Sequence, residues 1–260
     1  MNDFLARMET SSRTRLAAAR GVAPLESVRR QAEMIATTGL PPGFLVFAEV
    51  KPISPAEGSR ATSDFRDLVR AYESGGAAAI SVLTEPTEFG GSMELIEEVV
   101  EAVAVPVMRK DFIVDPYQVW EARARGASGA LAIARMLDTD TLEAIARAAR
   151  EAGMFLLVEG FDEADLEAIS AMRKSEGHVL VGVNSRDLTT LQVRPDAHEA
   201  LAPLLPENCV AIAESGIRSP EQVKALASFG YHGVLVGTSL MRSDDPAAAV
   251  ASLVEAGVEV

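Results

Sequence analysis

Glu49, Lys51, Lys110, Glu159, Asn184 and Glu214 share one feature: each stands at or just past the end of a short apolar run. A lysine where a buried strand opens into a loop is partly desolvated, which lowers its pKa and suits it to proton transfer near neutral pH. Lys110, which follows Val105-Pro-Val-Met-Arg109, is the leading candidate. A lone lysine or carboxylate in such a place is ordinarily a solvated loop residue or half of a structural ion pair. Recurrence argues against that account. Acids, lysines and an amide brought to one spot would shift one another's pKa and serve acid–base work on a polar, anionic substrate.

A second pattern lies further along. Glu214-Ser215-Gly216-Ile217 and Gly237-Thr238-Ser239 put small residues directly after apolar runs. Glycine leaves backbone N–H groups accessible, hydroxyls stand beside them and a helix start follows, which together make a phosphate cradle. The plainer account is that these glycines only turn tight corners. A phosphorylated substrate is the expectation.

Residues so far apart meet only if the elements carrying them are parallel and close together. Apolar strand-like runs occur at 45–50, 79–83, 105–108, 129–133, 154–158, 180–183, 210–213 and 233–236. Helical patterns fill the gaps. Ser63 caps a run through Phe65, Leu68 and Tyr72, and another spans 93–103. Asp115-Pro116 reads as an N-cap with proline in the first turn, closed by Gly126. Leu142 to Ala149 precede Gly153, and Leu166 with Ile169 precede Gly177. Ser219-Pro220-Glu221-Gln222 is a capping box whose helix ends at Gly230. Runs that are apolar throughout mean strands buried on both faces, hence a parallel sheet. Eight β–α units predict an α/β fold, a single (β/α)8 TIM barrel over 44–260, with 1–43 as a helical extension packed on one end. An open doubly wound sheet would want a Gly-x-Gly-x-x-Gly turn after its first strand, and none is present. Barrel chemistry sits at the C-terminal strand ends, where Thr84, Glu85, Arg135 and Arg186 also fall, and phosphate is commonly held after strands seven and eight.

Composition narrows the partners. The 260 residues are 48% apolar and 24% charged, with a net charge of −14, so nucleic acid is a poor partner. No apolar run reaches the roughly 18 residues of a membrane span. The start, Met1-Asn-Asp-Phe-Leu-Ala-Arg, lacks a secretion signal, and the one cysteine, Cys209, fits a reducing compartment. His178, His198 and His232 lack zinc-type spacing, so no metal is expected. A cytoplasmic protein follows, whose oligomeric state the sequence leaves open, a monomer being compatible.

The blocks Glu49-Val-Lys51-Pro-Ile-Ser54-Pro55-Ala-Glu-Gly58, Phe89-Gly-Gly-Ser92, Arg109-Lys110-Asp111-Phe112-Ile113, Leu157-Val-Glu159, Gly182-Val-Asn184-Ser-Arg186-Asp-Leu188, Glu214-Ser215-Gly216-Ile217 and Gly237-Thr-Ser239-Leu240-Met241 resemble the indole-3-glycerol-phosphate synthase family, in order and at matching spacing. The resemblance implies closure of an indole pyrrole ring on a phosphorylated anthranilate-derived substrate, with loss of CO2 and water and no cofactor. It assigns the general acid to Lys110, with Glu159 beside it and the Glu49–Lys51 pair completing proton transfers in dehydration. Ser54 and Pro55 would help hold the anthranilate carboxylate, and Asn184, Arg186 and Glu214 would orient the substrate. Phe89, Phe112 and Leu131 would wall the aromatic ring, and Ser215, Gly216, Gly237 and Thr238 would bind phosphate.

Ala56, Pro52-Ile53, Phe161 and Ser185 depart from the family pattern, and all are expected in substrate-facing loops. They leave open a paralogue acting on a substituted anthranilate. Two other readings compete. A sugar-phosphate isomerase on the same barrel, such as one of the phosphoribosylanthranilate type, would want an Asp or Cys pair where this chain has Glu49–Lys51 and Glu159. A silent binding barrel would not need Lys51, Lys110 and Glu159 together.

Overall fold

The computed structural model describes residues 4–54, 58–59, 65–172, 178–188 and 192–258. Eight parallel strands close into a barrel in chain order. They are β1 (Leu45–Val50), β2 (Ala79–Leu83), β3 (Val107–Lys110), β4 (Gly129–Ile133), β5 (Phe155–Gly160), β6 (Val179–Asn184), β7 (Val210–Glu214) and β8 (Gly233–Val236), with β8 pairing back onto β1. The outer elements are α3 (Phe65–Ser74), α4 (Pro86–Phe89), α5 (Met93–Val100), α6 (Pro116–Ala124), α7 (Thr139–Glu151), α8 (Glu163–Ala171), α9 (Ala197–Leu201), α10 (Pro220–Ser228), α11 (Thr238–Met241) and α12 (Pro246–Val258), preceded by α1 (Phe4–Val22) and α2 (Leu25–Glu33). This is the expected (β/α)8 barrel.

Local signals act as read. The Asp115 side chain accepts the Tyr117 N–H at 2.9 Å, Pro116 opens α6, and Gly126 leaves it at φ +91°. Ser219 caps α10, although the Gln222 side chain reaches the Arg218 N–H and not that of Ser219. The expectations for Ser63 and Gly177 lie outside the described residues. Boundaries differ in one systematic way. Apolarity predicts strands ending at Met108, Val158, Val183 and Ala213, yet pairing continues to Lys110, Gly160, Asn184 and Glu214. Backbone pairing does not depend on side-chain polarity, so polar residues at the mouth remain strand residues. β3 also starts later than expected, at Val107. Pro106 has no N–H to give a ladder. The helical patterning above does not mark α12, which packs on α10 and α3.

Alternation along each strand divides the core in two. Outward residues such as Val46, Val107, Leu156 and Val183 meet the helices. Inward residues including Phe47, Met108, Leu131, Leu157, Ile212 and Leu235 fill the barrel interior. The same parity sends Glu49, Lys110, Glu159, Asn184 and Glu214 inward one layer higher, and Arg109 outward between Lys110 and Met108.

The N-terminal extension touches more than one end, unlike the sequence expectation. At the mouth, Phe4 packs edge-on against Phe112 with ring centroids 5.9 Å apart. Arg15 reaches Asp111, and Tyr117 donates to the carbonyls of Ala19 and Ala23. α2 then runs along α6, with Arg29 stacked 4.4 Å over the Trp120 ring. Beyond it, the Thr38 N–H donates to Ser128 Oγ at 2.9 Å and Leu40 packs on the barrel interior from the far side. No helix among the described residues is long and apolar enough to cross a membrane.

Candidate active site

A cavity of about 340 Å³ opens at the C-terminal ends of the strands. Glu49, Lys51, Lys110, Glu159, Asn184, Arg186 and Glu214 all line it, as do Phe89, Phe112, Leu131, Ser215, Gly216, Gly237 and Thr238. Pro55 and the Ser54 side chain lie outside the described residues, as does Ala56.

The ionic centre is compact. Lys110 Nζ donates to Glu214 Oε2 at 2.7 Å and to Glu159 Oε2 at 3.3 Å. Asn184 gives its amide N–H to Glu159 Oε1 at 2.9 Å, while its own oxygen accepts the Arg186 N–H at 2.8 Å. That bond fixes which way the amide faces. Lys51, just past the end of β1, donates from its Nζ to Glu49 Oε1 at 2.7 Å. Two glycines make room. A Cβ at Gly182 would stand 2.3 Å from Glu214 Oε1, and one at Gly237 would stand 2.4 Å from Glu49 Oε1.

The charge state of Lys110 corrects the sequence expectation. Burial by itself does push its pKa down, but the carboxylates of Glu214, Glu159 and Glu49 outweigh that and hold it above the ordinary lysine value. Lys110 is therefore a firmly held ammonium. The displaced proton affinity appears elsewhere. Burial, with Glu159 and Glu49 nearby, pushes Glu214 up to about 8 against the pull of Lys110. Glu49 goes the other way. Burial opposes its charge, yet Lys51, Lys110 and Arg186 keep its carboxyl below the usual range. The mouth thus offers an ammonium, a carboxylic acid and a carboxylate side by side at neutral pH.

Several expectations need correction. Arg135, at the end of β4, turns away from the cavity, bonding Asp165 at 2.6 Å and Asp162 and stacking over Phe161. Phe161 and Ser185 are buried, and neither lines the cavity, nor do Pro52 and Ile53. Glu85 caps α4 through the Thr87, Glu88 and Phe89 N–H groups.

Asp111 was not singled out from the sequence, yet it is the best-connected carboxylate beside the site. It accepts a fork from Arg15 at 2.8 Å on both oxygens, Arg109 Nη2 at 2.8 Å, Thr84 Oγ1 at 2.7 Å and the Phe112 N–H at 2.8 Å. Although burial disfavours its charge, Arg109 and Arg15 hold its pKa far below the ordinary aspartate value. Arg109 is also bound by Glu121 at 2.7 Å and the Gln118 carbonyl at 3.0 Å. Residues 15, 84 and 111 carry no local signal of this, because their spacing has no helical or strand period. Ser239, part of the small-residue run after β8, lines the cavity too, and Arg218 and Arg242 line it beside the Ser215-Gly216 and Gly237-Thr238 corners without having been marked.

Comparison with known proteins identifies the family. The family model described as indole-3-glycerol phosphate synthase matches residues 9–253. A Mycobacterium leprae (strain Br4923) protein named indole-3-glycerol phosphate synthase is 46% identical over 247 residues, covering 95% of this chain and 86% of its own. One of the same name from Mycolicibacterium gilvum (strain PYR-GCK) is 48% identical over 217 residues, covering 83% and 78%. Among solved structures, 3-hexulose-6-phosphate synthase from Salmonella typhimurium superposes with a TM-score of 0.64 at 19% identity, covering 83% of this chain and 99% of that one. That likeness concerns the fold alone.

Proposed function

The chain belongs to the indole-3-glycerol phosphate synthase family of tryptophan biosynthesis, ring-closing carboxy-lyases, and we propose the following division of labour at its barrel mouth. The substrate is the anthranilate-linked, phosphorylated, ring-opened deoxyribulose. Its aromatic ring lies against Phe89, Phe112 and Leu131, and its phosphate lies between the Ser215-Gly216 and Gly237-Thr238 corners. Lys51, with Ser54 and Pro55, holds the carboxylate.

As the ring carbon bearing that carboxylate attacks the ketone, negative charge grows on the ketone oxygen. An alkoxide is more basic than an amine, so even a firmly held Lys110 ammonium gives up its proton there. Glu214, protonated near neutral pH and 2.7 Å away, returns a proton to the amine and becomes a carboxylate. Glu159, oriented by Asn184, keeps Lys110 aimed. CO2 then leaves, its bonding pair restoring the aromatic ring. In the dehydration step the ring nitrogen's lone pair expels the new hydroxyl, which departs as water with a proton from Lys51. The Glu49 carboxylate takes the proton from the adjacent ring carbon, and the 2.7 Å contact lets it pass back to Lys51. The acidic composition and single cysteine fit a cytoplasmic enzyme acting on a free small molecule.

The observation carrying this reading is the placement of Lys110 between two carboxylates, with Lys51–Glu49 facing the same cavity. Mixing purified protein with the carboxyphenylamino-deoxyribulose phosphate should produce indole fluorescence, and no indole product would reject it. Gly182→Ala should lower kcat by about tenfold or more, since its Cβ displaces Glu214 and small misplacements of catalytic groups cost up to ~10²-fold. Unchanged turnover would remove Glu214 from the proton path. Ser215→Asp should raise KM by more than about tenfold through repulsion of the phosphate. An unaltered KM would move the cradle elsewhere.

A further inference from the structure

Ser185 and His198 do not line the cavity, yet both converge on the backbone of the phosphate corner. Ser185 follows β6 and is 1% exposed, while His198 stands on α9 at 7%. The Glu214 carbonyl, ending β7, accepts the Ser185 N–H at 3.0 Å. It also lies 3.0 Å from His198 Nε2, and the Val183 carbonyl lies 3.2 Å from the same nitrogen. Both neighbours are acceptors, so Nε2 carries a proton and donates it. Tyr231 holds the histidine in place, donating its hydroxyl to the His198 carbonyl at 2.9 Å and packing edge-on to the ring at 5.7 Å.

A carbonyl oxygen has two lone pairs. Those of Glu214 are taken by the Ser185 N–H and the His198 ring. Ser185 Oγ, 3.2 Å from the Glu214 oxygen and 3.1 Å from that of Ser215, has one proton to give. With Glu214 already satisfied, it goes to Ser215. A trans peptide points its C=O and N–H in opposite directions. Holding the Ser215 carbonyl toward β6 therefore turns the Gly216 N–H away from β6, toward the corner after β8, where Gly237 and Thr238 line the same cavity. Ser215 and Gly216 have φ of 68° and 75°, a left-handed pair that serine adopts only when its surroundings impose it.

We propose that Ser185 and His198 are positioning residues that aim the Gly216 N–H at the substrate's phosphate, Ser185 by direct contact and His198 by keeping the Ser185 hydroxyl from the Glu214 carbonyl. This rests on the phosphate site proposed above. Inorganic phosphate as a competitive inhibitor is the probe, beside steady-state kinetics of the whole chain. Ser185→Ala and His198→Leu should each raise KM and the phosphate inhibition constant about five- to tenfold, with kcat within about threefold. The double variant should be no worse than either single one, because both act through one peptide plane. His198→Gln, which restores an N–H donor, should lie within about twofold of the parent.

Unchanged KM and inhibition constant in Ser185→Ala would overturn the proposal. So would additive effects in the double variant, or a kcat loss that follows melting temperature at constant KM. Ser215→Asp separates the two levels. If it also leaves KM unchanged, the phosphate site itself is misplaced; if it raises KM while Ser185→Ala and His198→Leu do nothing, only the positioning role fails.

Discussion

Lys110→Met is expected to lower kcat by about 10²- to 10⁴-fold, the usual contribution of a general acid, while substrate still binds. Methionine keeps the length of the side chain and loses its proton and charge. Without the ammonium, Glu159 and Glu214 face each other unscreened, so at least one of them stays protonated and the cluster remains buried. The variant should therefore fold, which circular dichroism and phosphate inhibition can verify. Turnover within about tenfold of the parent would refute the assignment. The same cluster sets a pH dependence. Since Glu214 is pushed up to about 8, its acid form declines as pH rises through that value, and with it the group that restores the Lys110 proton. Activity should fall on the alkaline side with an apparent pKa near 8, a property of the coupled cluster more than of one residue. Glu214→Gln should abolish that limb, and a limb that persists would assign it to another group.

The second large effect concerns stability. Asp111→Ala should cost about 3–5 kcal/mol, because it strands the Arg109 guanidinium, 1% exposed, with only part of its compensation. For a chain of this size that is a fall in melting temperature of roughly 10 °C. Glu121 and the Gln118 carbonyl remain as partners of Arg109, but they sit on Nη1 and leave Nε and Nη2 unpaired. A variant melting within about two degrees of the parent would show that water replaces the carboxylate at little cost. The acid side gives an independent check. Asp111 has a folded-state pKa held below the ordinary aspartate value of 3.8, so its contribution is complete above that value and is lost as pH falls through the folded one. Asp111→Asn, which cannot titrate, should flatten the acid limb of the stability curve. Arg15→Ala should do less harm, since Arg15 is a quarter exposed at 26% and its loss strands no fully buried charge.

Much of this was legible in the chain. Uniformly apolar runs, spaced by amphipathic stretches with Asp115-Pro116 or Ser219-Pro220 at their starts, specify strands buried on both faces alternating with helices. Few folds other than a closed parallel barrel use eight such units. The residues following the runs then named the mouth, because a barrel gathers its strand ends in one place whatever their spacing in sequence. Covalent order and side-chain polarity are enough for that much.

Direction and charge were not legible. Lys110 and Arg109 are adjacent cations in sequence, and only the register of β3 makes one face the cavity and the other α6. The pKa of Lys110 reverses its expected direction because three carboxylates from β1, β5 and β7 surround it, and an electrostatic field sums over spatial neighbours that sequence distance does not reveal. Asp111 was passed over for the same reason, its partners Thr84 and Arg15 lying 27 and 96 positions away. Polarity and local period are properties of a residue and its chain neighbours. Protonation state, orientation and connectivity belong to the packed assembly, which exists only once the eight strands have closed.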